Sequence, residues 1–472
     1  MNARYVPPPG SIPTLEVPDL LDVRNLHLLG IGGSGMRNLA KLLAARGTRV
    51  TGCDLKESNA VRGLRAQGVE VAVGHDPSHV LGADALVLSS AIAPTNREVA
   101  AARDVGIPLW TRAQALAAST AGRRTIAVTG THGKTTTTSM IALVLERAGL
   151  DPSYVIGGEP NETGGGSRAG SGEAFVVEGD ESDGSFLLLR PAIGVVTNVE
   201  VDHVDYYTGG REEIEAAFAA FGERCERLIV CADDEGAMRA TTDCARITYG
   251  VHPSADVRVE TTELGPEGAR GRVTIDGATH DLALGVDGHH NVLNAAAALA
   301  VAALEGVAPE LALAALAGFT GVHRRFERRG RARGADFFDD YGHVPTELSV
   351  TLGTARRTGA RRVIAVFQPH RYSRTQALWR ELGASLVEAD VVLVTDVYGA
   401  DQEPIPGVTG KLVVRGVAEA RPARRVVYLP HKTDVVRFLD REVRAGDLVV
   451  TMGCGDVWTL ADAAVAAIGG DA

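Results

Sequence analysis

The sequence predicts an α/β protein with three domains, each built on a mainly parallel sheet that helices cover. Its 472 residues are too many for one hydrophobic core, because a domain usually holds about 150 residues. From Leu26 onward, short apolar runs alternate with amphipathic stretches, which is typical of doubly wound sheets. Two glycine-rich turns each join an apolar strand to a helix, so we expect a Rossmann-like N-terminal domain followed by a P-loop ATPase-like domain.

The first domain is expected at residues 1–120. Its strands are predicted from five apolar runs: HLLGIG, TRVTGCD, VEVAVG, ALVLSSAI and IPLW. The small polar stretch at residues 118–124 is interpreted as the linker to the second domain.

The central domain is expected at residues 121–328. Its parallel sheet is predicted from four runs: TIAVTG, AFVVEGD, IGVVTNV and RLIVCAD. The alternating segments VRVETTEL and GRVTIDG predict a small antiparallel insert, and an alanine-rich helix from Asn291 to Leu304 follows. Residues 164–172 are interpreted as a flexible loop because they are rich in glycine and serine.

The third domain, at residues 329–472, is expected to be Rossmann-like as well. The arginine cluster RRFERRGRARG after His323 is interpreted as the hinge that leads into it. Its strands are predicted from four runs: FFDDYG, RVIAVFQ, VVLVTDV and DLVVTMG.

Composition narrows the class of protein. A hydrophobic content of 45% with 23% charged residues is that of an ordinary globular protein. The net charge of −11 disfavours nucleic acid or an anionic membrane as partner, and no apolar run approaches the ~18 residues of a membrane span. The five cysteines are scattered and form no CxxC pair, so the sequence suggests neither a disulfide framework nor a zinc site. We expect a cytoplasmic protein.

The stretch TIAVTGTHGKTTTTSM, residues 125–140, predicts a phosphate-binding loop between a buried strand and a helix. Backbone N–H groups and the helix dipole would face an anion, while Lys134 adds a positive charge and Thr135 offers a hydroxyl to Mg²⁺. The general P-loop spacing would place a glycine at Val128, but the first glycine here is Gly130. The alternative is a tight turn with an incidental lysine, which is weakened because the chain contains only five lysines.

The turn LLGIGGSGM places Gly30, Gly32 and Gly35 in a GxGxxG pattern between a strand and a helix. Asp54 ends the next strand, 19 residues after Gly35, which completes a dinucleotide-binding fingerprint. From this pattern alone, a dehydrogenase and simple close packing of helix on strand remain equally open. The turn from Ser89 to Ile92 follows a neighbouring strand, where open α/β sheets bind ligands.

Acidic residues follow two strands of the central domain, and they predict a magnesium site near the phosphate loop. Mg²⁺ prefers oxygen ligands and shares substrate phosphates. The alternative is an ordinary solvated acidic surface. Acidic residues of such a surface have no reason to follow the ends of buried strands. The residues concerned are Glu178, Asp180, Glu181 and Asp183 in one segment, and Asp202, His203 and Asp205 in the other.

Other polar clusters are less specific. Asn291 and Asn294 stand at the start of a helix, where asparagine is common as a cap. Arg325 is either part of a solvated linker or a group that offsets phosphoryl charge. In the third domain Arg371 and Arg374 are suited to a carboxylate, with ordinary surface arginines as the alternative.

The spelling GTHGKTTTT resembles the ATP loop of the Mur ligases, bacterial enzymes that attach amino acids to UDP-N-acetylmuramic acid. Six ordered motifs extend the resemblance over about residues 25 to 460. It implies a ligase with ATP and Mg²⁺ that joins L-alanine to UDP-N-acetylmuramate through an acyl phosphate. It also implies that the three domains bind the UDP sugar, ATP and the amino acid in that order. The segment EEIEAAFAAFGERC lacks the lysine that later enzymes of the family carbamylate, and this favours the alanine-adding branch.

The resemblance also assigns residues to roles. As catalytic residues it implies Lys134, His203, Arg325 and His343, with His203 and His343 both open as the group that deprotonates the alanine amine. For ATP it implies Gly130, Thr131, His132, Gly133, Lys134, Thr135, Thr136, Asn291, Asn294, Arg325 and Asp340. For the UDP sugar it implies Gly30, Gly32, Ser34, Gly35, Asp54, Ser89, Ser90, Glu181 and Ser182. For the amino acid it implies Tyr341, His343, His370, Arg371 and Arg374, and for the metal Thr135, Glu178 and His203.

This sequence departs from the family pattern at Arg37 and Asn38, where small residues are common, and at Val344, where a second histidine is common. A murein tripeptide ligase acting on the same sugar nucleotide is the alternative within the family. Outside it, the alternatives are an NAD-dependent dehydrogenase fused to a P-loop kinase and a non-catalytic binder of nucleotide and muropeptide. We expect a monomer or a weak homodimer.

Overall fold

The computed structural model describes residues 15–203, 206–400 and 402–470, so Asp205 of the predicted magnesium site lies outside the described residues. The chain forms two compact units, and the division between them falls between Thr320 and Gly321. The first unit contains two sheets and the second contains one. In the part of the chain that the structure describes, no helix is long and apolar enough to cross a membrane.

The first sheet has five parallel strands in the order β3-β2-β1-β4-β5. The strands are β1 Asn25–Leu29, β2 Arg49–Asp54, β3 Glu70–Val73, β4 Ala85–Leu88 and β5 Leu109–Thr111. The helices are α1 Ser34–Ala45, α2 Asn59–Ala66, α3 Arg97–Asp104 and α4 Arg112–Thr120. All five predicted strands are confirmed. The predicted linker at 118–124 is partly wrong, because α4 continues to Thr120 with its last six residues buried and a capping box at Thr111 starting it.

The second sheet has ten strands in the order β15-β14-β13-β12-β11-β10-β6-β9-β7-β8. The strands are β6 Arg124–Thr129, β7 Ser153–Val155, β8 Ser167–Arg168, β9 Ala174–Glu178, β10 Ile193–Val196, β11 Arg227–Cys231, β12 Arg246–Gly250, β13 Val257–Gly265, β14 Gly268–Ile275 and β15 Ala278–Leu284. The helices are α5 Lys134–Arg147, α6 Arg211–Glu223, α7 Glu235–Ala240, α8 His289–Leu304 and α9 Pro309–Ala317.

The predicted antiparallel insert is present, as β14 pairs antiparallel with β15 at one edge of this sheet. It continues the parallel sheet, because β13 pairs parallel with β12. The predicted flexible loop at 164–172 is partly wrong, since it contains β8, which pairs antiparallel with β7. There Arg168 is held by Asp151 at 2.6 Å.

The two sheets of the first unit share one hydrophobic cluster. Leu26 and Leu28 of β1 belong to it together with Ala127 of β6 and Phe175 of β9. The burial of these apolar side chains stabilises both sheets at once, at roughly 25 cal/mol per Å² removed from water.

The second unit contains a six-stranded sheet in the order β16-β17-β21-β18-β19-β20. The strands are β16 Glu327–Ala332, β17 Ala335–Asp340, β18 Arg362–Phe367, β19 Val391–Val394, β20 Arg425–Tyr428 and β21 Asp447–Met452. The helices are α10 Pro345–Arg357, α11 Tyr372–Ser385, α12 Lys411–Ala420, α13 Lys432–Glu442 and α14 Thr459–Ile468.

The arginine cluster is not a hinge, and that interpretation was wrong. Most of it forms β16, an edge strand antiparallel to β17. Its charges are compensated by acids of the same unit: Arg328 pairs with Asp336, and Arg329 with Asp462 at 2.6 Å. An edge strand tolerates such charges because one of its sides remains open. The proposed domain boundaries at 120/121 and 328/329 stay predictions.

Candidate functional site

The phosphate loop joins β6 to α5, and its backbone conformation requires glycine. Gly133 has φ +80° directly before the helix. At Gly130, with φ +135°, a Cβ atom would lie 2.0 Å from Thr197 Oγ1, so no side chain fits. Asn198, beyond β10, holds the loop by accepting from the N–H of His132 through its side chain at 2.8 Å and from the N–H of Thr131 through its carbonyl at 3.0 Å.

Lys134 lies inside this loop and is already paired. Its Nζ donates to the carbonyls of Gly130 at 2.5 Å and Thr131 at 3.1 Å, and it lies 2.8 Å from Glu181 Oε2. Burial alone would lower the pKa of Lys134, but the carboxylates of Glu181 and Glu178 outweigh that effect and raise it. Burial raises the pKa of Glu181 to about 7, although Lys134 acts in the opposite direction. The ammonium group of Lys134 is therefore held in a mostly buried position at the start of α5.

The predicted metal residues lie at the same edge of the sheet. Glu178 ends β9 and accepts a hydrogen bond from Thr135 Oγ1 at 3.0 Å, and its other oxygen accepts from the N–H of Gly157 at 2.8 Å. His203 has φ +52°, with Nε2 at 3.5 Å from Asp202 and 3.9 Å from Glu181. The structure thus joins Thr135 to Glu178 directly and brings His203 to the pair formed by Lys134 and Glu181.

Two partners in this region were missed by sequence reasoning. Tyr207 OH donates to the carbonyl of Glu181 at 2.6 Å, and burial raises the pKa of this phenol. Arg112 of α4 lies 3.2 Å from Asp180 and holds the pKa of that carboxyl below its usual value against the effect of burial. Tyr207 ends the acidic segment that contains Asp202 and His203, and Arg112 follows the last predicted strand of the first domain, but nothing in the sequence indicates that they contact Glu181 and Asp180.

Asn294 supports the loop from the neighbouring helix α8. Its Oδ1 accepts from Thr137 Oγ1 at 3.1 Å, and the same oxygen would lie 2.9 Å from a Cβ at Gly133. Its Nδ2 donates to Asn291, which in turn donates to the carbonyl of Asp287 at 2.7 Å. The roles of both asparagines, and of Thr136 on the first turn of α5, in binding ATP stay predictions.

The glycine turn of the first sheet is held by β2. The carbonyl of Cys53 accepts from the N–H of Gly30 at 2.9 Å and of Ile31 at 3.1 Å. Asp54 Oδ2 accepts from the N–H of Gly32 at 2.9 Å, so in the described structure this carboxylate holds the turn.

The remaining predicted sugar-binding residues lie in two places. Ser34 and Gly35 start α1, and Ser89 Cβ lies 3.1 Å from where a Cβ of Gly30 would be, with Ser90 following it. Glu181 and Ser182 lie instead in the segment after β9, where Glu181 contacts Lys134 and the N–H of Ser182 donates to Asp180. Their assignment to the UDP sugar stays a prediction.

The two departures on α1 contact the second sheet of the same unit. Arg37 lies 2.6 Å from Glu159, and the buried Asn38 donates through Nδ2 to the carbonyl of Ile156 at 2.9 Å. Their partners are 122 and 118 residues away, so these contacts could not be predicted from local sequence patterns.

In the second unit, four aromatic rings form a row beside the predicted amino-acid site. The ring centroids are 5.7 Å apart for Tyr341 and His343, 6.0 Å for His343 and His370, and 5.8 Å for His370 and Tyr398. Burial and the positive charges of Arg374 and Arg371 lower the pKa of His370 to about 3, with His343 contributing. His370 is therefore neutral at physiological pH.

Arg371 directly precedes α11, and its φ of +65° is unusual for a side chain of this size. Its N–H donates to the carbonyl of Tyr398 at 2.9 Å, which fixes this conformation. Thr375 Oγ1 on α11 donates to the carbonyl of Arg371 at 2.8 Å. The backbone at the start of α11 is therefore anchored from both sides, with Arg374 one turn along the helix.

Arg325 and Asp340 lie near the same row. Arg325 lies 5.3 Å from the centre of the Tyr341 ring and 3.8 Å from Glu347, which also accepts from the N–H of His343. Asp340 accepts from the N–H groups of Gly342 and Phe326, and its burial raises its pKa despite Arg325. Their predicted ATP roles are untested by this geometry.

The residue before Arg325 and the departure at Val344 have structural roles. Arg324 pairs with the buried Asp339 at 2.9 Å. Val344 is 7% exposed and directly precedes α10, so it packs in the interior of this unit.

Comparison with known proteins covers most of the chain. Residues 25–124 match the Mur ligase family catalytic domain, residues 128–302 the Mur ligase middle domain, and residues 324–455 the Mur ligase glutamate ligase domain. The chain is 49% identical over 449 residues to the UDP-N-acetylmuramate–L-alanine ligase of Kineococcus radiotolerans, covering 92% of this chain and 94% of that protein. It is 44% identical over 461 residues to the ligase of the same name from Clavibacter sepedonicus, covering 96% and 95%.

Two solved structures with the same or a related name are also similar to this chain. The UDP-N-acetylmuramate–alanine ligase of Thermotoga maritima superposes with a TM-score of 0.81 at 27% identity, covering 94% of this chain and 98% of that one. A murein peptide ligase from Psychrobacter arcticus gives a TM-score of 0.72 at 27% identity, covering 94% and 99%. The predicted resemblance and fold class are confirmed. Three matching domains in order, and relatives at 44 to 49% identity along nearly the whole chain, place this protein in the Mur ligase family.

Proposed function

We propose that this chain is an ATP-dependent, amide-forming ligase that joins L-alanine to the carboxylate of UDP-N-acetylmuramate in the synthesis of peptidoglycan precursors. The observation that carries the proposal is the convergence of Lys134, Thr135 and Glu178 at a loop in which neither Gly130 nor Gly133 has room for a side chain. It is supported by relatives at up to 49% identity that bear the name of this ligase.

The reaction has two steps, and both need charge stabilisation more than covalent help from the protein. The muramyl carboxylate attacks the γ-phosphorus of ATP, ADP leaves, and an acyl phosphate forms. The amine of alanine then attacks the acyl carbon, and the tetrahedral intermediate expels inorganic phosphate. Lys134 and the N-terminus of α5 are the groups proposed to offset the negative charge of the phosphates. Arg325 is the proposed second cation for the transferring phosphoryl group.

The donors at the end of β9 fit a magnesium ion. Glu178 presents a carboxylate beside the Thr135 hydroxyl, and His203 lies at the same edge with Asp202 and Glu181. This oxygen-rich set matches the preference of Mg²⁺, which keeps several waters and shares substrate phosphates. When bound, Mg²⁺ would neutralise phosphate charge. Thr135, Glu178 and His203 are the residues proposed to hold it.

The aromatic row of the second unit is proposed to receive L-alanine. Arg371 and Arg374 offer guanidinium groups for its carboxylate, and Tyr341, His343 and His370 lie beside them. Because His370 is held neutral, it can accept or donate a hydrogen bond without repelling the cationic amine. His203 and His343 both remain candidates for removing the proton from that amine.

The UDP sugar is proposed to bind at the glycine turn after β1. The turn is held by Cys53 and Asp54, which accept from three of its N–H groups, and α1 begins directly after it, so the positive end of the helix dipole lies beside the turn. A dehydrogenase would use the same turn for NAD, but the family membership of the whole chain supports the sugar nucleotide.

The deciding experiment measures phosphate release from ATP in the presence of UDP-N-acetylmuramate while the amino acid is varied. We expect stimulation by L-alanine and weak stimulation by glycine or L-serine. Strong stimulation by the tripeptide L-alanyl-γ-D-glutamyl-meso-diaminopimelate and none by L-alanine would favour the murein peptide ligase alternative. A cytoplasmic location and a monomeric or weakly dimeric state belong to the same proposal, to be checked by fractionation and light scattering.

A further inference from the structure

A compact group of metal-binding side chains lies in the first sheet, away from the phosphate loop. His27 of β1, Cys53 of β2, His79 of the short 3-10 turn Pro77–Val80, and Glu98 of α3 each present one donor atom. These four atoms all lie within 4.8 Å of one another. His27, Cys53 and Glu98 are almost completely buried, at 2%, 0% and 0% exposure. The proposed function uses none of these side chains.

The carboxylate of Glu98 contacts each of the other three donors. Its Oε2 lies 3.1 Å from His27 Nε2 and 3.3 Å from Cys53 Sγ, and its Oε1 lies 2.9 Å from His79 Nδ1. Tetrahedral zinc with bonds of about 2.0–2.3 Å needs donor atoms roughly 3.3–3.8 Å apart. An ion among the four donors would need the contacts of Glu98 to lengthen by a few tenths of an ångström and every other donor separation, which is at most 4.8 Å, to fall in the same range.

The surroundings match those of a metal site as well. Thr51 Oγ1 lies 2.8 Å from His27 Nδ1, so the remaining nitrogen, Nε2, is directed at the cluster. Such outer partners set the orientation of ligating histidines. His75 Nδ1 lies 3.2 Å from Cys53 Sγ and gives a further contact at the rim. A neighbouring cavity of about 530 Å³, lined in part by His27, Thr51 and His79, offers an entry path.

We propose that His27, Cys53, His79 and Glu98 form a structural Zn²⁺ site in the first sheet. The donor set of one thiolate, one carboxylate and two imidazoles suits zinc, since its two negative charges balance a dication in a buried place. A hard cation such as Mg²⁺ would prefer oxygen donors. The sequence argued against zinc because it has no CxxC pair, but here the fold assembles the ligands from four separate segments.

The site has a consequence for the glycine turn. The carbonyl of Cys53 accepts from the N–H groups of Gly30 and Ile31, and the next residue, Asp54, accepts from Gly32. A zinc ion bound to the Cys53 side chain would fix the end of β2 and, through it, the turn proposed for the sugar nucleotide. The binding of zinc itself does not depend on the proposed ligase activity.

The test uses the full chain, stripped with a chelator and kept reduced, with excess Mg²⁺ present. Titration calorimetry with ZnCl₂ should find one tight site per chain, and zinc should raise the midpoint of thermal unfolding. Thr51→Val keeps all four donors and should weaken zinc binding by roughly 10- to 100-fold, as expected for loss of an outer partner. Cys53→Ser and His79→Gln should weaken it further than that. Cys231→Ser and His252→Gln, which lie outside the cluster, should leave it unchanged.

Substitution with Co²⁺ provides a second readout that does not use stability. The wild-type protein should show thiolate-to-cobalt absorption in the near ultraviolet, and Cys53→Ser should lose it. Because His79 is partly exposed, His79→Gln should fold even if a change at the buried Cys53 does not, and its cobalt spectrum should be altered. Equal zinc affinity in wild type, Cys53→Ser and His79→Gln, or the absence of tight zinc binding in wild type, would show that the cluster is only a hydrogen-bonded network around Glu98.

Discussion

The ammonium group of Lys134 and the carboxylate of Glu181 lie 2.8 Å apart beside the loop that joins β6 to α5. Lys134 also donates to two loop carbonyls, so acceptors of the folded chain itself fix its position. A phosphate group bound at the loop would therefore contact a Lys134 ammonium group that folding has already oriented and mostly removed from water. The cost of ordering this side chain has been met by folding, which is what electrostatic preorganisation requires.

Replacement of Lys134 by alanine should leave the fold intact and remove most of the activity. The side chain contacts carbonyls and one carboxylate and no apolar core, so circular dichroism should be unchanged. The rate of phosphate release should fall on the order of 10²-fold or more, equivalent to about 3 kcal/mol of transition-state stabilisation. Lys56→Ala, at an exposed lysine, is the control. A folded Lys134→Ala protein with near wild-type turnover would remove this residue from the mechanism.

Glu178→Gln and His203→Ala should each raise the Mg²⁺ concentration needed for half-maximal activity. Glutamine can keep the hydrogen bond with Thr135 but loses the charge and the acceptor that the N–H of Gly157 uses, so circular dichroism and thermal unfolding are measured beside the Mg²⁺ requirement. The measurement is a Mg²⁺ titration at fixed ATP, with Glu212→Gln on the exposed face of α6 as the control. Superimposable titration curves for wild type and both variants would contradict the proposed site.

Arg374→Ala should raise the Michaelis constant for alanine at least tenfold and leave that for ATP nearly unchanged. Alanine carries a single methyl group, so its charged ends must supply most of its binding energy. Loss of one charge-assisted hydrogen bond costs roughly 1.5 to 3 kcal/mol. Arg371→Lys should show a similar defect, because an ammonium group cannot form a two-pronged contact. The control is Arg380→Ala on the same helix. If both variants leave the Michaelis constant for alanine unchanged and alter that for ATP or the UDP sugar, the assignment of alanine to the second unit is wrong.

Asp54→Asn should raise the Michaelis constant for UDP-N-acetylmuramate about 5- to 10-fold. The charged acceptor of the Gly32 N–H would be replaced by a neutral one, and the turn would lose part of its order, on the order of 1 kcal/mol. Calorimetry on the full chain provides the companion measurement. We expect heat on addition of the UDP sugar and none with NAD, and the reverse result would support the dehydrogenase alternative.

Glu327→Gln should make the free energy of unfolding of the second unit depend less on pH in the acidic range. Burial alone would raise the pKa of Glu327, but His323, the N–H of Arg324 and Arg329 together lower it to about 2. A carboxyl whose pKa is lowered by folding stabilises the native state above its unfolded pKa near 4.3, and that stabilisation is lost as the pH falls toward 2. At pH 7 the variant should be less stable by about 2 to 3 kcal/mol, a difference that shrinks below pH 4. Urea unfolding at several pH values measures it, and the exposed Glu403→Gln is the control; a constant difference across the pH range would argue against this origin.

Much of the fold could be predicted because buried parallel strands appear in the sequence as short apolar runs. ALVL of β4 and IGVV of β10 are completely buried, and both were identified. β12 and β20 were missed because neither contains a run of completely buried apolar residues: only the last two residues of β12 are buried, and none of β20 is. The arginine-rich β16 was misread because the charges of an edge strand are satisfied by partners that only the folded chain provides.

The candidate site shows the same division. Lys134, Thr135 and Glu178 lie in local motifs, and the sequence identified them. The pairing of Glu181 with Lys134 could not be predicted, since 47 residues separate them and nothing in either motif indicates which carboxylate faces the loop. The cluster around Glu98 could not be predicted for a similar reason, because its four side chains are brought together by β1, β2, the turn Pro77–Val80 and α3 and not by proximity in the chain.

The hydrophobic cluster shared by the two sheets of the first unit limits how freely this protein can be rearranged. Leu26 and Phe175 belong to the same cluster, and Asn38 is committed to the carbonyl of Ile156. Grafting the first sheet from a distant relative onto the second sheet of this chain would expose apolar surface on both and leave the buried Asn38 amide without its partner. Evolutionary exchange of the first sheet should therefore have required coordinated change on both sides, and hybrid proteins made at residue 120 should be insoluble unless the donor's contacts are transferred as well.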